Sequence, residues 1–388
     1  MKSSLWRKVA AAAIVAAGLG YVVGMYLIGL SDKNAADRDF ISYWAAGRQL
    51  AHGANPYDIL AVRTLEVAAG RDPNEALLMM RNPPEALFLA LPLGLVSPKT
   101  GLILWLLVLL GSLSVSIWIL WLLHGRSDSR LHLIGYLFAP ALTCLMAGQV
   151  GIFLLLGLVL FLYFNHSRPF FGGAALLLCA LKPHLFLPFA AVLLVWAIYR
   201  GRYRILAGFL IALTASCALS FFFDHHAWAD YFLMMRVGGA VNEDVPVLSV
   251  GLRNLLDRHA TWLQFLPQSC ACAWALWYFR TRREQWKWMD HGLLVLAVSA
   301  MCTPFGWFTD ESMLLPVVLA GLYQAVEKRR SVLPLGLILG VALIEVFANV
   351  QIISWFYLWT TPAWLAWYLY ATGRIAARSP MNERVDAV

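Results

Sequence analysis

Charge is what this 388-residue chain has least of. Asp, Glu, Lys and Arg make up 13% of it, about half the share of an ordinary soluble domain. Hydrophobic residues reach 61% and mean hydropathy is +0.67. That excludes the two or three soluble domains that the length alone would allow. Cysteine is sparse too. The six (Cys144, Cys179, Cys217, Cys270, Cys272 and Cys302) lie in or at the ends of apolar runs, none in a CxxC. Cys270 and Cys272 are too close in sequence to bridge easily, so all six read as packing residues. His184, His225 and His226 lack the paired spacing of a zinc site, and no metal is assigned. No internal repeat is visible, which weighs against a transporter built from repeated halves. With no extended soluble domain, the expected partners are chiefly lipids.

What the chain has in abundance is apolar spans. Val9–Leu30 is long enough to cross a ~30 Å hydrocarbon core and exceeds a signal-peptide core, so it reads as an uncleaved first transmembrane helix. Further spans follow at about 101–123, 131–147, 150–164, 170–182, 184–199, 203–223, 261–280, 289–303, 311–325, 331–349 and 352–372. The expectation is an all-α polytopic membrane protein of about twelve transmembrane helices. They form one transmembrane domain over residues 1–372, followed by a disordered cytoplasmic tail at 373–388. Seventeen Trp and fourteen Tyr suit interfacial belts. Two outer loops stand out, a long first one at 31–97 and a second at 224–260. The first holds two amphipathic helices, at about 39–52 and 58–69. It also holds a short apolar run, 86–96, broken by Pro92 and expected to lie in the interface or re-enter the membrane.

The positive-inside rule orients the spans. With the N-terminus in the cytoplasm, the inner segments hold 19 of the 30 Lys and Arg but only six of the 22 acids. Arg200-Gly201-Arg202-Tyr203-Arg204 and Lys328-Arg329-Arg330 are the densest clusters. The net charge of +8 therefore sets topology and meets anionic lipid, with no nucleic acid as partner. Both termini are expected in the cytoplasm of a bacterial inner (plasma) membrane.

Polar interruptions collect on the outer side. They are the 31–97 loop, the Gly148-Gln149-Val150-Gly151 turn, Lys182-Pro183-His184, the 224–260 loop and Thr303–Glu311. Polar groups at membrane depth are costly and mark cavities or sites, so an active site facing the periplasm or exterior is expected. Each has a plainer reading. Asp39 is a good N-cap for the helix after it. Lys182 suits a snorkelling helix end. Gln149 suits a tight turn between helices. Arg253 suits a solvated face as well as a phosphate, and Asp310-Glu311 suit a helix start as well as a cavity mouth.

The order of these pieces carries a resemblance. Asp39-Phe40, Tyr43-Trp44, Ala46-Gly47-Arg48, Gly53 and Asn55-Pro56-Tyr57-Asp58 resemble the first outer loop of glycosyltransferase family 87. That family comprises membrane glycosyltransferases of the GT-C type, the mycobacterial polyprenyl-phosphomannose-dependent α-1,2-mannosyltransferases among them. Pro83-Pro84, Pro92-Leu93-Gly94-Leu95, Gly148-Gln149, Leu181-Lys182-Pro183 and Thr303-Pro304 through Asp310 to Leu314-Leu315-Pro316 follow in matching order. The resemblance covers roughly residues 37–325. One departure is that Gly306–Glu311 has no His or Tyr just before its acidic position.

The resemblance implies a GT-C fold. It also implies an inverting glycosyltransferase that moves a sugar, mannose or another hexose, at the outer membrane face. The donor is a polyprenyl-phosphate-linked sugar and the acceptor a lipid-linked or cell-envelope glycan. Inversion needs one carboxylate to take the acceptor proton, and Asp39 matches the family's first-loop acid. Cations or N–H groups must hold the leaving phosphate; Lys182 and Arg253 are the candidates, with His184 third. Tyr43 and Trp44 are expected against sugar rings. Arg48, Asn55, Tyr57, Gln149 and Asp310 complete the expected substrate set. No cofactor is needed, although the outer carboxylates leave a divalent metal open. The other readings are a transporter or flippase for a lipid-linked sugar, with Glu345 the one mid-span charge, and an inactive family member acting as a partner in envelope synthesis.

Overall fold

A computed structural model of the chain describes residues 31–126, 129–237, 244–351 and 354–374. The proposed first span 9–30 and the tail beyond Arg374 lie outside these. Every regular element among the described residues is helical. The longer helices are α1 (Phe40–Ala51), α2 (Ile59–Ala68), α3 (Pro98–Leu123), α4 (Ala139–Ala147), α5 (Gly151–Ser167) and α6 (Pro169–Ala175). They continue with α7 (Leu187–Tyr199), α8 (Tyr203–Phe223), α9 (Ala227–Val237), α10 (Leu248–Leu256) and α11 (Leu266–Arg282). The last four are α12 (Leu293–Met301), α13 (Leu315–Glu327), α14 (Leu333–Phe347) and α15 (Thr360–Thr372).

Both amphipathic helices of the first loop are present as α1 and α2. Their starts differ in a way that matters later. Asp58 caps α2 in the ordinary manner, its carboxylate accepting from the amides of Leu60 at 2.9 Å and Ala61 at 3.1 Å. Asp39 holds the same position before α1 but makes no capping bond.

The spans are more broken than their hydropathy suggests. Among the described residues, α3 and α8 are the two helices long and apolar enough to cross a membrane. The other apolar helices run 10–17 residues, at most about 26 Å at 1.5 Å per residue. Proline is the cause at several joints. Pro140, Pro169, Pro188, Pro316 and Pro334 each sit in the first turn of a helix, where the missing N–H costs nothing. Short 3-10 turns at Leu131–Leu137, Pro183–Phe186 and Phe308–Leu314 feed into α4, α7 and α13. In the span expected at 352–372, a 3-10 turn at Trp355–Tyr357 precedes the α-helix that starts at Thr360. The 86–96 run is a set of short turns, Pro84–Ala86, Leu87–Ala90 and Leu93–Leu95, packed beneath α1.

That packing depends on two glycines. A Cβ on Gly47 would stand 1.9 Å from the Ala90 carbonyl oxygen, and one on Gly94 2.1 Å from the Gly47 backbone. The backbones touch there, and any side chain would part them. Behind this layer α6 lies between α5 and α8, α5 also meets α3, and α7 pairs with α11. One large apolar core joins them, from Phe40 and Trp105 to Trp364 and Trp367.

Candidate active site

Three chain segments meet at the ends of these helices. The first is the start of α1. Asp39 is half-buried, and its Oδ2 accepts from the side-chain amide of Gln149 at 2.8 Å. Gln149 Oε1 in turn accepts the Tyr43 hydroxyl at 2.8 Å. Burial raises the Asp39 pKa above the ordinary aspartate value; the Gln149 bond, then the charges of Lys182 and Arg71, oppose that rise. The carboxylate that looked like a helix cap is thus directed across the site instead.

The second segment is the turn that carries Gln149. Gly148 closes α4 with φ +71, and a Cβ there would come within 2.7 Å of Phe40 Cβ. Gly151 opens α5, and a Cβ there would stand 2.2 Å from the Thr309 carbonyl oxygen. The indole of Trp105 donates to the Gly148 carbonyl at 2.8 Å and its ring stacks on Tyr43, centroids 5.4 Å apart. The two glycines therefore let one turn wedge between the residue after Asp39 and the residue before Asp310. It is a tight turn, and it is also the holder of the Asp39 side chain.

The third is the joint of Lys182 with the 3-10 turn Phe308–Leu314. Lys182 Nζ meets Asp310 Oδ1 at 2.7 Å, with the side chains 12% and 3% exposed. Asp310 Oδ2 accepts from the Trp307 amide at 3.1 Å. Asp310 therefore both steadies its own turn and pairs with the lysine. A small cavity of about 20 Å³ lies beside it, lined by Leu185, Trp307, Glu311 and Thr361 among others. A larger one of about 440 Å³, bounded by His124 and Tyr323, shares no residue with the site.

The remaining expected substrate residues are placed differently. Trp44 is 6% exposed and donates to the Val96 carbonyl at 2.9 Å; Arg48 donates to the Gly94 carbonyl at 3.0 Å. Both hold the turn beneath α1. The Asn55 side chain accepts from the Tyr57 amide at 2.8 Å, which shapes the turn before α2. The Tyr57 hydroxyl donates to the Asn82 carbonyl at 3.0 Å, and Asn82 Nδ2 donates to the Leu181 carbonyl at 2.8 Å. That relay seats the first loop next to Lys182. Asn55 shapes a local turn, while Trp44, Arg48 and Tyr57 tie backbone segments that are distant in sequence, so these four build the site's frame.

His184 is half-buried with its ring edge-on to Phe305, and its carbonyl accepts from Gln268. Arg253 is 1% exposed. Its guanidinium donates to Gln264 Oε1 at 2.6 Å and pairs with Asp244 at 3.5 Å, while Gln264 donates to the Pro304 carbonyl at 2.5 Å. The structure thus sets Arg253 one layer behind Thr303–Asp310.

One neighbour, Arg71, escaped the sequence reading, as did the contacts of a second, Glu311. Arg71 is 8% exposed, donates to the Ala36 carbonyl at 3.1 Å and bears electrostatically on Asp39. It lies in an ordinary polar loop, and nothing local marks it. Glu311 is 7% exposed and accepts from the Thr360 hydroxyl at 2.6 Å and the Trp364 indole at 2.8 Å. Its partners are about 50 residues downstream in α15, which is why they were invisible. Among the described residues no group of three His, Cys, Asp or Glu has the arrangement of a metal site.

The family model of glycosyltransferase family 87 matches residues 81–304, more than half of the chain. The chain belongs to glycosyltransferase family 87. This family 87 protein is therefore a membrane glycosyltransferase, and the transporter reading gives way. The match includes Gln149, Lys182, His184 and Arg253; it begins after Asp39 and stops before Asp310. No curated protein and no solved structure matches the chain.

Proposed function

We propose that this family 87 member is an inverting hexosyltransferase of GT-C architecture that works at the outer face of a bacterial plasma membrane. It takes mannose or another hexose from a polyprenyl-phosphate donor and delivers it to a lipid-linked or envelope glycan. The observation that carries this reading is the carboxylate of Asp39. It leaves its cap position unused, is aimed by Gln149, and lies within electrostatic reach of Lys182.

In the reaction the acceptor hydroxyl oxygen attacks the anomeric carbon while its proton passes to Asp39. The bond from that carbon to the phosphate oxygen breaks, and its electron pair leaves with the lipid phosphate. A base with a raised pKa is a stronger proton acceptor once ionised. Lys182 meets the phosphate charge that develops. In the free enzyme Lys182 is occupied by Asp310 and the adjoining cavity has room for about one water. Donor binding accordingly exchanges the Asp310 carboxylate for a phosphate and opens the Trp307 side of the site. Arg253 supports that segment from behind through Gln264.

The test is transfer by the purified full chain in nanodiscs, from a panel of polyprenyl-phosphate hexoses to envelope lipid extract. Inverted-linkage product from one donor, abolished in Asp39→Asn, supports the reading. Turnover of nucleotide sugars in place of lipid-linked ones would overturn it.

A further inference from the structure

The transfer reaction leaves two features unused. The six cysteines are free thiols; Cys144 and Cys179 pack as expected, while Cys270 is exposed. The other feature is the cavity of about 440 Å³, a volume within the range of small-molecule sites. It lies at the far end of α13 from the active site. The Asp310 turn leads into the first residue of α13, and Gln324, Val326 and Glu327 in its last turn line the cavity. The helix has 13 residues, roughly 20 Å at 1.5 Å per residue. Leu123 and His124, at the end of α3, also line the cavity, and Leu131 and Met289 add apolar surface.

This lining is rich in acceptors. Glu327 brings a carboxylate. His124 Nδ1 stands 2.7 Å from the Leu120 carbonyl oxygen, a contact that needs the proton on Nδ1 and leaves Nε2 an acceptor. Burial lowers the His124 pKa, so the ring is neutral at pH 7. Gln324 Oε1 accepts from Lys328 Nζ at 3.0 Å and keeps a second lone pair. That lysine is also tied to the Thr372 carbonyl at 2.8 Å. Both α3 and α13 end at the cavity, and helix C-termini carry partial negative charge. Among the described residues, no Lys or Arg lines it.

Such a lining suits a cation that carries N–H donors. It suits a quaternary ammonium poorly, because that group needs open aromatic faces. The rings of His124 and Tyr323 are stacked on each other, centroids 4.3 Å apart. Just outside, the chain turns basic. Arg130 is exposed between the lining residues Ser129 and Leu131, and Arg126 is exposed two residues after His124. Acid within and arginine at the rim match a primary ammonium joined to a phosphate by a short link. Among the described residues α3 is one of the two helices long and apolar enough to cross a membrane, and it ends here, which puts the cavity at the bilayer boundary. We propose that the cavity binds the headgroup of an ethanolamine phospholipid, its ammonium on Glu327 and His124 and its phosphate on Arg130 and Arg126. The lipid comes from the leaflet at that end of α13, the inner one in the orientation proposed above.

The test uses the purified full chain in detergent, with native mass spectrometry and thermal melting. Phosphatidylethanolamine, phosphatidylcholine and phosphatidylglycerol of the same acyl chains are added separately. Phosphatidylethanolamine should bind about tenfold more tightly than either, the factor for one charge-assisted contact, and should raise the melting temperature most. Glu327→Gln should remove that preference, while Glu284→Gln, at an exposed carboxylate elsewhere, should keep it. Arg130→Gln should weaken all three lipids through their shared phosphate. Equal affinity for the three, or a preference that survives Glu327→Gln, would overturn the assignment. Glycerophosphoethanolamine, the same headgroup without acyl chains, should compete far less well; equal competition would overturn the lipid as the source. These readouts need no sugar donor or acceptor, so they stand apart from the transfer reaction.

Discussion

The side-chain amide of Gln149 donates to the carboxylate of Asp39 across 2.8 Å and 110 residues of chain. One polar residue in a helix turn thereby directs a helix-start carboxylate across the site. Neither residue alone is distinctive. Their contact is made by Gly148 and Gly151, which let the turn press against Phe40 and Thr309.

Asp39→Asn should reduce sugar transfer by about 10²–10⁴-fold, the range for removing a general base. Because burial raises the pKa of Asp39, the folded state holds its proton more tightly than the unfolded chain does. The raised carboxyl costs stability as pH climbs past the unfolded value, and asparagine carries no such penalty. Thermal melting of the variant at neutral pH should match or exceed wild type while activity collapses. A large drop in melting temperature would mark Asp39 as structural.

The same shift fixes the acid limb of the pH profile. Transfer needs ionised Asp39, so kcat/KM should fall tenfold per pH unit below a pKa that lies above the ordinary 3.8. Gln149→Leu removes a bond that favours the ionised form, and should move that limb to higher pH. A limb unmoved in Gln149→Leu would show that Gln149 does not tune the base.

Lys182 and Asp310 should behave as a coupled pair. Removing one partner leaves a buried charge alone, a cost of about 3 kcal/mol or more. Lys182→Met and Asp310→Asn are each expected to destabilise, and the double variant to recover much of that loss. Transfer should stay low in Lys182→Met and in the double variant, because the phosphate has lost its cation. Denaturant or thermal unfolding with a double-mutant cycle measures the coupling.

Gly151→Ala should cost about 1–3 kcal/mol from overpacking against the Thr309 carbonyl. Its effect on kcat should exceed its effect on stability, since it pushes the Asp310 turn off the Gln149 turn. Gly111→Ala, which meets nothing within 4 Å, is the matched control: kcat should stay unchanged and stability should hold or rise by up to about 1 kcal/mol through helix propensity.

Glu311 ties α15 to the site. Leucine at this position would leave the Trp364 indole without its acceptor, at about 1–3 kcal/mol if it stays dry, while the Thr360 hydroxyl keeps the Tyr357 carbonyl at 2.6 Å. Glu311→Gln keeps one acceptor oxygen and should lose less by the same unfolding assay.

The composition determined the class by itself, since a chain with 61% hydrophobic residues cannot avoid a bilayer or a vast core. Period and punctuation placed α1 and α2 closely, because Asp58 and the Asn55-Pro56 turn act through neighbours in sequence. The ordered motifs pointed to the family, and the match over residues 81–304 bears that out. Hydropathy alone does not set helix lengths. It averages over prolines that divide a run into a 3-10 turn and a shorter helix, as at Pro183–Phe186 before α7. Roles within the polar set were beyond local reading. Asp39 and Asp58 both precede helices and look alike in sequence; only the tertiary contact with Gln149 separates the aimed carboxylate from the cap. Arg48 and Trp44 look like ligands for substrate until the Gly47–Gly94 backbone contact brings carbonyls to them. Hydrogen bonds and ion pairs reach about 3 Å in space, and only the fold decides which residues, a hundred positions apart, come within that distance.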